Sequence, residues 1–493
     1  MDNKLFIFPK YLLLTTLILF SLIPFEGCSG CDQDQSEGSD TITETLDQDL
    51  QVDGEQSDGH EGQWDVHNDD TEDSVEDEDQ SLPYVEECGN GILDEGEECD
   101  DRNRLNGDGC DWLCRNGDGD PPPEPDPSVD PYVPSGDPVF IEETSSRSWL
   151  HHRLPLIWTG SEFSTAFYHR DEDDSMHIRF MRFDEEGRPT GSDWFYPAPS
   201  RSTGLDLVWT GTGFGLFFVD LEVGIYYLRL SQEGKPLGSP VLVEADPLAR
   251  MPAADNFDDG FVLAWLRMGS LVDAYCAPDV PPAALRVGFL HVDGTTTGFP
   301  GPVTVEDQAT GPPDVVTGED GFGLTVQVID LLNGICCFKF LLVNTDLSTI
   351  THSGVLSDGY PGDVVWTDNH YIIAWDHLRI ATDENETCMA RFSPDGILER
   401  PPVCNNVTSV IVNDPGPTRL GAGDDGLLIA TAFEGLRLLA LRTDLIGAAV
   451  LPHMEVTNND DGVGAFGVAW GMDSFFVLLV EASQLRLYEF VAE

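Results

Sequence analysis

Five carboxylates occupy comparable places along the chain. Asp220, Asp330, Asp376, Glu434 and Glu481 each close an apolar run that reads as the second strand of a repeat. If those ends gather on one face of a ring, they form a set of oxygen ligands suited to Ca²⁺, a hard cation that prefers oxygen. The competing reading is compositional, since 89 Asp and Glu against 25 Lys and Arg place acids at many strand ends. His151 and His152 are the only adjacent histidines, and Arg153 follows them directly. They precede the first repeat, where loops gather on the ligand face of such a ring. They are candidates for a ligand loop, with a solvated loop as the alternative. No HExxH, GxSxG or GxxxxGK motif occurs, so zinc-protease, serine-hydrolase and phosphate-loop chemistry have no local signature here. No catalytic residue is assigned.

The cysteines carry a second kind of chemistry. Cys88, Cys99, Cys110 and Cys114 crowd into a short segment with few apolar residues, which needs cross-links to hold a shape. Cys276, Cys336, Cys337, Cys388 and Cys404 fall in the C-terminal part, without a CxxC spacing. Cys388 lies on a third strand and Cys404 near the fourth of the same repeat, so they are placed to pair. Cys276 is in reach of Cys336 or Cys337 across adjacent repeats.

The elements that would position these residues come from a repeat over 138–493. Leu156-Ile157-Trp158-Thr159-Gly160-Ser161-Glu162-Phe163 and Leu207-Val208-Trp209-Thr210-Gly211-Thr212-Gly213-Phe214 share one pattern: apolar strand, tight polar turn, aromatic. The closing aromatic or Leu recurs at 163, 214, 261, 322, 371, 427 and 475. The period is roughly fifty residues, as in propeller blades. Each unit carries four short strand signals with Gly and Asp turns, and helical periodicity is nearly absent. Trp158, Trp209, Trp366 and Trp470 are expected in the packing between blades. The last unit stops at its third strand, Leu485 to Val491, and Pro138 to Glu142 resembles the missing fourth. The chain thus resembles an all-β, seven-bladed β-propeller closed by an N-terminal strand, without a specific family match.

The N-terminal third is organised differently. Lys4 and Lys10 give a positive segment ahead of a short apolar run from Leu12 to Ile23, which reads as a signal peptide over 1–27 and is short for a membrane span. The run leads to Phe25-Glu26-Gly27-Cys28-Ser29-Gly30-Cys31, which resembles a bacterial lipobox. That resemblance implies lipidation of Cys28. Cys31 is the alternative lipidated residue, and ordinary secretion the alternative fate. Residues 28–87 are dense in Asp and Glu and lack Lys and Arg over 32–87, which describes a disordered, self-repelling stalk. Residues 116–137 read as a Pro/Asp/Gly-rich linker.

Between them lies 88–115. Cys88-Gly89-Asn90-Gly91, Gly96-Glu97-Glu98-Cys99-Asp100-Asp101, Asn103, Gly107-Asp108-Gly109-Cys110 and Cys114 are similar to the myxobacterial cysteine-rich repeat, with Arg102 where that family usually has Gly. The resemblance implies two internal disulfides and no catalysis. Asp94, Asp100, Asp101 and Asp108 are assigned to turns and caps in preference to a Ca²⁺ site.

The formal charge of −64 excludes nucleic acid and direct docking on anionic lipid, because phosphate is repelled. What remains is an exported monomer at the outer membrane or cell surface, or secreted. It touches membrane only through a lipid anchor and displays a binding or adhesion module for a protein or glycan. An extracellular propeller glycoside hydrolase or lyase is the alternative.

Overall fold

The computed structural model describes residues 88–119, 132–143 and 153–492 apart from short gaps, the longest at 270–281 and 407–414. The expected signal peptide, lipidation site and acidic stalk lie outside the described residues, as do Cys276 and most of the 116–137 linker. Every element among the described residues is a β-strand.

The strands form antiparallel meanders that resemble propeller blades. Sheet A holds Leu156–Trp158, Phe163–Arg170, Met176–Phe183 and Trp194–Pro197. Sheet B holds Leu205–Trp209, Gly213–Asp220, Gly224–Ser231 and Val241–Glu244. Sheet C runs from Ala249–Phe257 to Val303–Ala309 and sheet D from Asp314–Thr317 to Ile350–Asp358, with one bridge, Ala309 to Val328, joining them. Sheet E runs from Asp363–Thr367 to Val403–Asn406, and sheet F from Pro415–Ala422 to Met454–Asn458. Sheet G holds Val463–Gly471, Ser474–Glu481 and Gln484–Ala492.

Burial follows strand order, and the sequence explains why. Second strands are buried on both faces and so read as continuous apolar runs, as in Gly260–Arg267 and Ser474–Glu481. Fourth strands lie at the rim and alternate or stay exposed, as in Trp194–Pro197 and Val241–Glu244. The turns between first and second strands repeat one hydrogen bond. Thr159 N–H donates to Glu162 O, Thr210 to Gly213, Gly318 to Gly321 and Gly423 to Gly426. Gly160 and Gly211 supply the positive φ this turn needs. Each tryptophan of the repeat tilts over the aromatic of its own sheet, with centroids 4.7 Å apart for Trp158–Phe163 and Trp209–Phe214, and 4.5 Å for Trp366–Tyr371 and Trp470–Phe475. These tryptophans are half-buried and stand at or next to the end of the inner strand.

The apolar cores lie between successive sheets, from A and B through F and G, and one further core joins G to A. Val139–Glu143 pairs with the last strand of sheet G, Val139 opposite Leu487 and Phe140 opposite Arg486. The N-terminal contribution starts earlier than composition implied. Tyr132–Pro134 falls within the expected linker, yet it pairs with the same strand, Tyr132 opposite Ala492. The Tyr132 ring is 6 % exposed and stands edge-on to Trp470 and Phe475. A Pro-rich composition hid this strand, because Pro is tolerated at a sheet edge.

The cysteine module is closed by Cys88–Cys114 and Cys99–Cys110. Asp100 serves its turns, accepting N–H bonds from Arg102 and Gly89. The module docks on sheet D. Arg104 N–H donates to Leu356 O on the fourth strand, and Leu105 and Trp112 join the core between sheets D and E. Cys388–Cys404 links directly opposed residues of sheet E.

Candidate functional site

The inner strands of several sheets converge on one charged cluster. Asp206, Asp314, Asp363 and Arg419 each stand eight residues before the aromatic or Leu of their repeat, at 214, 322, 371 and 427. The same register places Pro155, Ala253 and Gly467 in sheets A, C and G. Arg153 enters from just before sheet A, where it bridges to Phe466 of sheet G.

Each aspartate does two jobs. One oxygen pins the next sheet: Asp206 Oδ2 accepts from Ala254 N–H at 2.8 Å, Asp314 Oδ2 from Val364 at 3.1 Å, and Asp363 Oδ2 from Leu420 at 2.8 Å. The acceptor is always at the same register, and the donor is always one residue further along in the following sheet. The other job is electrostatic. Arg153 Nη1 donates to Asp314 Oδ1 and stands 4.0 Å from Asp206 Oδ2.

Burial and neighbours split the acids into unlike states. Burial raises the Asp206 carboxyl to about 6, although Arg153 and the Ala254 N–H oppose the rise. Burial and the charge of Asp314 push Asp363 well above the usual range. Asp314 is also desolvated, but Arg153 and the Val364 N–H hold it below the ordinary value. Burial works against the Arg153 charge, yet Asp314, Asp206 and Asp363 together keep it charged beyond its usual range. Burial lowers Arg419 despite Asp363 nearby. Asp314, clamped to Arg153, is thus shifted towards its ionised form, and Asp363 beside it towards its protonated form.

Two small cavities flank this layer. One of ≈ 80 Å³ is lined by Ile157, Asp206, Asp363, Val365 and Arg419, and one of ≈ 30 Å³ by Gly204, Met251, Pro312 and Gly362. Asp363 Oδ1 and Arg419 Nε, both buried, have no hydrogen-bond partner. Cavities of this size suit ordered water. A third, larger groove of ≈ 550 Å³ lies elsewhere, between the first turns of sheets B and C. Trp209, Thr212, Arg229, Leu237, Asn256 and Asp258 line it.

The sequence reading named only Arg153 in this cluster. His151, His152 and Glu434 lie outside the described residues, and so does the side chain of Asp330. Asp220 turns back to accept from Glu222 N–H at 2.9 Å. Glu481 accepts from Thr457 and from the Tyr488 hydroxyl. Asp376 is fully buried, and burial and Glu386 raise its pKa. Among the described residues, the groups of three ligand-bearing side chains with atoms within 4.8 Å of one another are Cys88, Glu97, Cys114 and Glu386, Cys388, Cys404. Neither contains Asp220, Asp376 or Glu481, and each is already occupied by a disulfide. The eight-residue register was present in the sequence as a signal for Asp206, Asp314 and Asp363. The strand-end acids drew attention away from it.

No protein-family model and no curated protein matches the chain. Solved structures with a similar arrangement of strands include hydrazine synthase of Kuenenia stuttgartiensis, 11% identical, covering 70% of this chain and 96% of that one at a TM-score of 0.43. A sialidase of Trypanosoma rangeli in complex with sialic acid is 13% identical, covering 75% and 59% at 0.33. The subtype N10 neuraminidase-like protein of A/little yellow-shouldered bat/Guatemala/060/2010 is 10% identical, covering 59% and 95% at 0.36. These likenesses concern the fold and carry nothing about activity.

Proposed function

We propose that the chain is an exported binding or adhesion protein. It presents a seven-bladed propeller, closed by its N-terminal strand, on an acidic stalk with a lipid at Cys28. The ring reading is supported by a repeated contact. A Cβ added at Gly234 would collide with Phe180 of the preceding sheet, at Gly294 it would meet Tyr227 at 2.9 Å, and at Gly396 Leu342 at 3.0 Å. Gly187 of sheet A stands in the same relation to Val139, at 2.8 Å, so sheet G with its N-terminal strand takes the place of a preceding blade.

The observation that carries binding over catalysis is the state of the axial cluster. Glycoside hydrolysis needs two carboxyl groups roughly 5–10 Å apart across a space that admits a sugar. Here the inner-strand carboxylates pin neighbouring strands, one is clamped by Arg153, and the adjoining space is ≈ 80 Å³. These charges bolt a scaffold together. The alternative, an extracellular propeller hydrolase or lyase, would put its chemistry on other residues.

The mature chain immobilised through its N-terminus is expected to retain a glycan or protein from an array of extracellular ligands, with no new reducing ends or unsaturated uronates in a bound polysaccharide. Turnover that survives Asp206→Asn and Asp314→Asn would replace binding with catalysis. Metabolic labelling with a clickable fatty acid tests the anchor. The label should be lost in Cys28→Ala, and normal labelling of that variant would move the anchor off Cys28.

A further inference from the structure

We infer that the groove between the first turns of sheets B and C is a binding site for a neutral pyranose sugar. This rests on the binding reading above and names the ligand class and its place. At ≈ 550 Å³ the groove falls in the range of small-ligand sites, and the axial cavities do not.

Its lining supplies what a pyranose needs. A sugar ring has a patch of C–H groups on one face and hydroxyls around its edge, so it calls for one rigid aromatic surface and polar groups beside it. Trp209 is half-buried and tilted against Phe214 with centroids 4.7 Å apart, which fixes the indole before any ligand arrives. A held ring loses little conformational freedom on binding. Asn256 is fixed as well, because its Nδ2 donates to the Trp209 carbonyl, and its Oδ1 remains as an acceptor. Asp258 is exposed at the tip of the facing turn with φ 52, in the left-handed region that Asp tolerates. Arg229 is exposed on the third strand of sheet B and brings donors, and Thr212 brings a hydroxyl. Leu237, 53 % exposed, forms the apolar rim.

Charge selects a neutral sugar over an acidic one. Arg229 is outnumbered in the lining by Asp258 and Asp259, within a chain of formal charge −64. A uronic or sialic acid would meet net repulsion. Asp259 is engaged with His291 Nδ1 at 3.2 Å, so Asp258 and Asn256 are the acceptors facing the groove.

The test uses the mature full chain on an array of neutral oligosaccharides of glucose, galactose, mannose and N-acetylglucosamine, with sialylated and uronic glycans alongside. At least one neutral glycan is expected to bind, and the acidic ones not. Leu237→Trp fills the groove from its exposed rim and should weaken binding by about tenfold or more at an unchanged melting temperature. Arg229→Ala and Asp258→Gly, both at exposed positions, should each weaken it several-fold and keep the reading testable if Leu237→Trp misfolds. Neutral-glycan binding that is indifferent to all three substitutions overturns this site and leaves the binding reading standing. Capture of a protein ligand alone, or of acidic glycans alone, also overturns it. Catalytic turnover of a glycan would instead remove the reading beneath it.

Discussion

Arg153, just before the first strand of sheet A, donates to Asp314 at the start of sheet D, 161 residues further along the chain. The contact crosses the convergence of the inner strands and joins the beginning of the repeat array to its middle. With the main-chain bridge from Arg153 to Phe466, this one residue is joined to sheet D by its side chain and to sheet G by its backbone.

Arg153→Met should therefore destabilise the fold. It leaves Asp314 charged, buried and without its counter-ion. A fully buried broken pair costs about 3–5 kcal/mol. The Arg153 side chain is 35 % exposed, so a loss of roughly 2–3 kcal/mol is expected. Urea unfolding followed by tryptophan fluorescence measures it. An unchanged midpoint would mean that the pair contributes nothing.

Asp314 and Asp363 should respond to pH in opposite senses. Asp363 has a folded pKa above its unfolded one, so the folded state holds more protons and stability falls as pH rises from about 4 through the folded value. Asp206, raised to about 6, adds the same slope between about 4 and 6. Asp314 is depressed, so its contribution is present above about 4 and lost as pH falls through its folded value. Asp363→Asn should flatten the decline of melting temperature between pH 4 and neutrality, since an amide keeps the acceptor for Leu420 N–H without the charge. Asp314→Asn should lower the melting temperature at neutral pH. Identical pH profiles for the two variants would contradict the assignment.

The N-terminal strand pairings predict a graded series of truncations. A chain starting at residue 130 should match the full protein in melting temperature once loss of the docked cysteine module is allowed for by a control carrying Leu105→Ser. Starting at Gly136 removes Tyr132, and loss of a buried aromatic costs about 3–5 kcal/mol. Starting at Thr144 also removes Val139–Glu143 and bares the Gln484–Ala492 edge, so aggregation is expected. Size-exclusion chromatography and calorimetry would show whether the three starts differ in that order.

Cys388–Cys404 spans 16 residues. Cross-linking a loop of that length stabilises by about 3 kcal/mol in the chain-entropy account. Cys388→Ala with Cys404→Ala should lower stability by roughly that amount. The effect should vanish when both proteins are compared fully reduced. A persisting difference under reduction would assign it to packing in the core between sheets D and E.

How much was legible in the sequence can be judged from single residues. Phe163, Phe214, Phe261, Phe322, Tyr371, Leu427 and Phe475 marked the repeat, because a second strand buried on both faces must be apolar throughout. Tyr132 was hidden in a stretch that composition assigns to linker, since an edge strand needs few apolar residues. Asp206 was hidden because a lone acid near an inner strand looks like any other acid in so acidic a chain. Only alignment on the aromatic eight residues later separates it.

By itself the sequence determined the all-β class and offered three further readings: a spacing of about fifty residues, a cross-linked segment around Cys88, Cys99, Cys110 and Cys114, and Cys388 and Cys404 as placed to pair. Each depends on residues close in the chain, whose spacing records turn and strand lengths. The tertiary structure alone decided that Arg153 meets Asp314, that burial and the charge of Asp314 raise the Asp363 carboxyl, and that the cysteine module docks on Leu356 through Arg104 and Leu105. It also decided that a groove opens between Trp209 and Asp258. The physical reason is that a charge or an aromatic acquires its role from what desolvates it and what faces it, and here those neighbours arrive from other sheets.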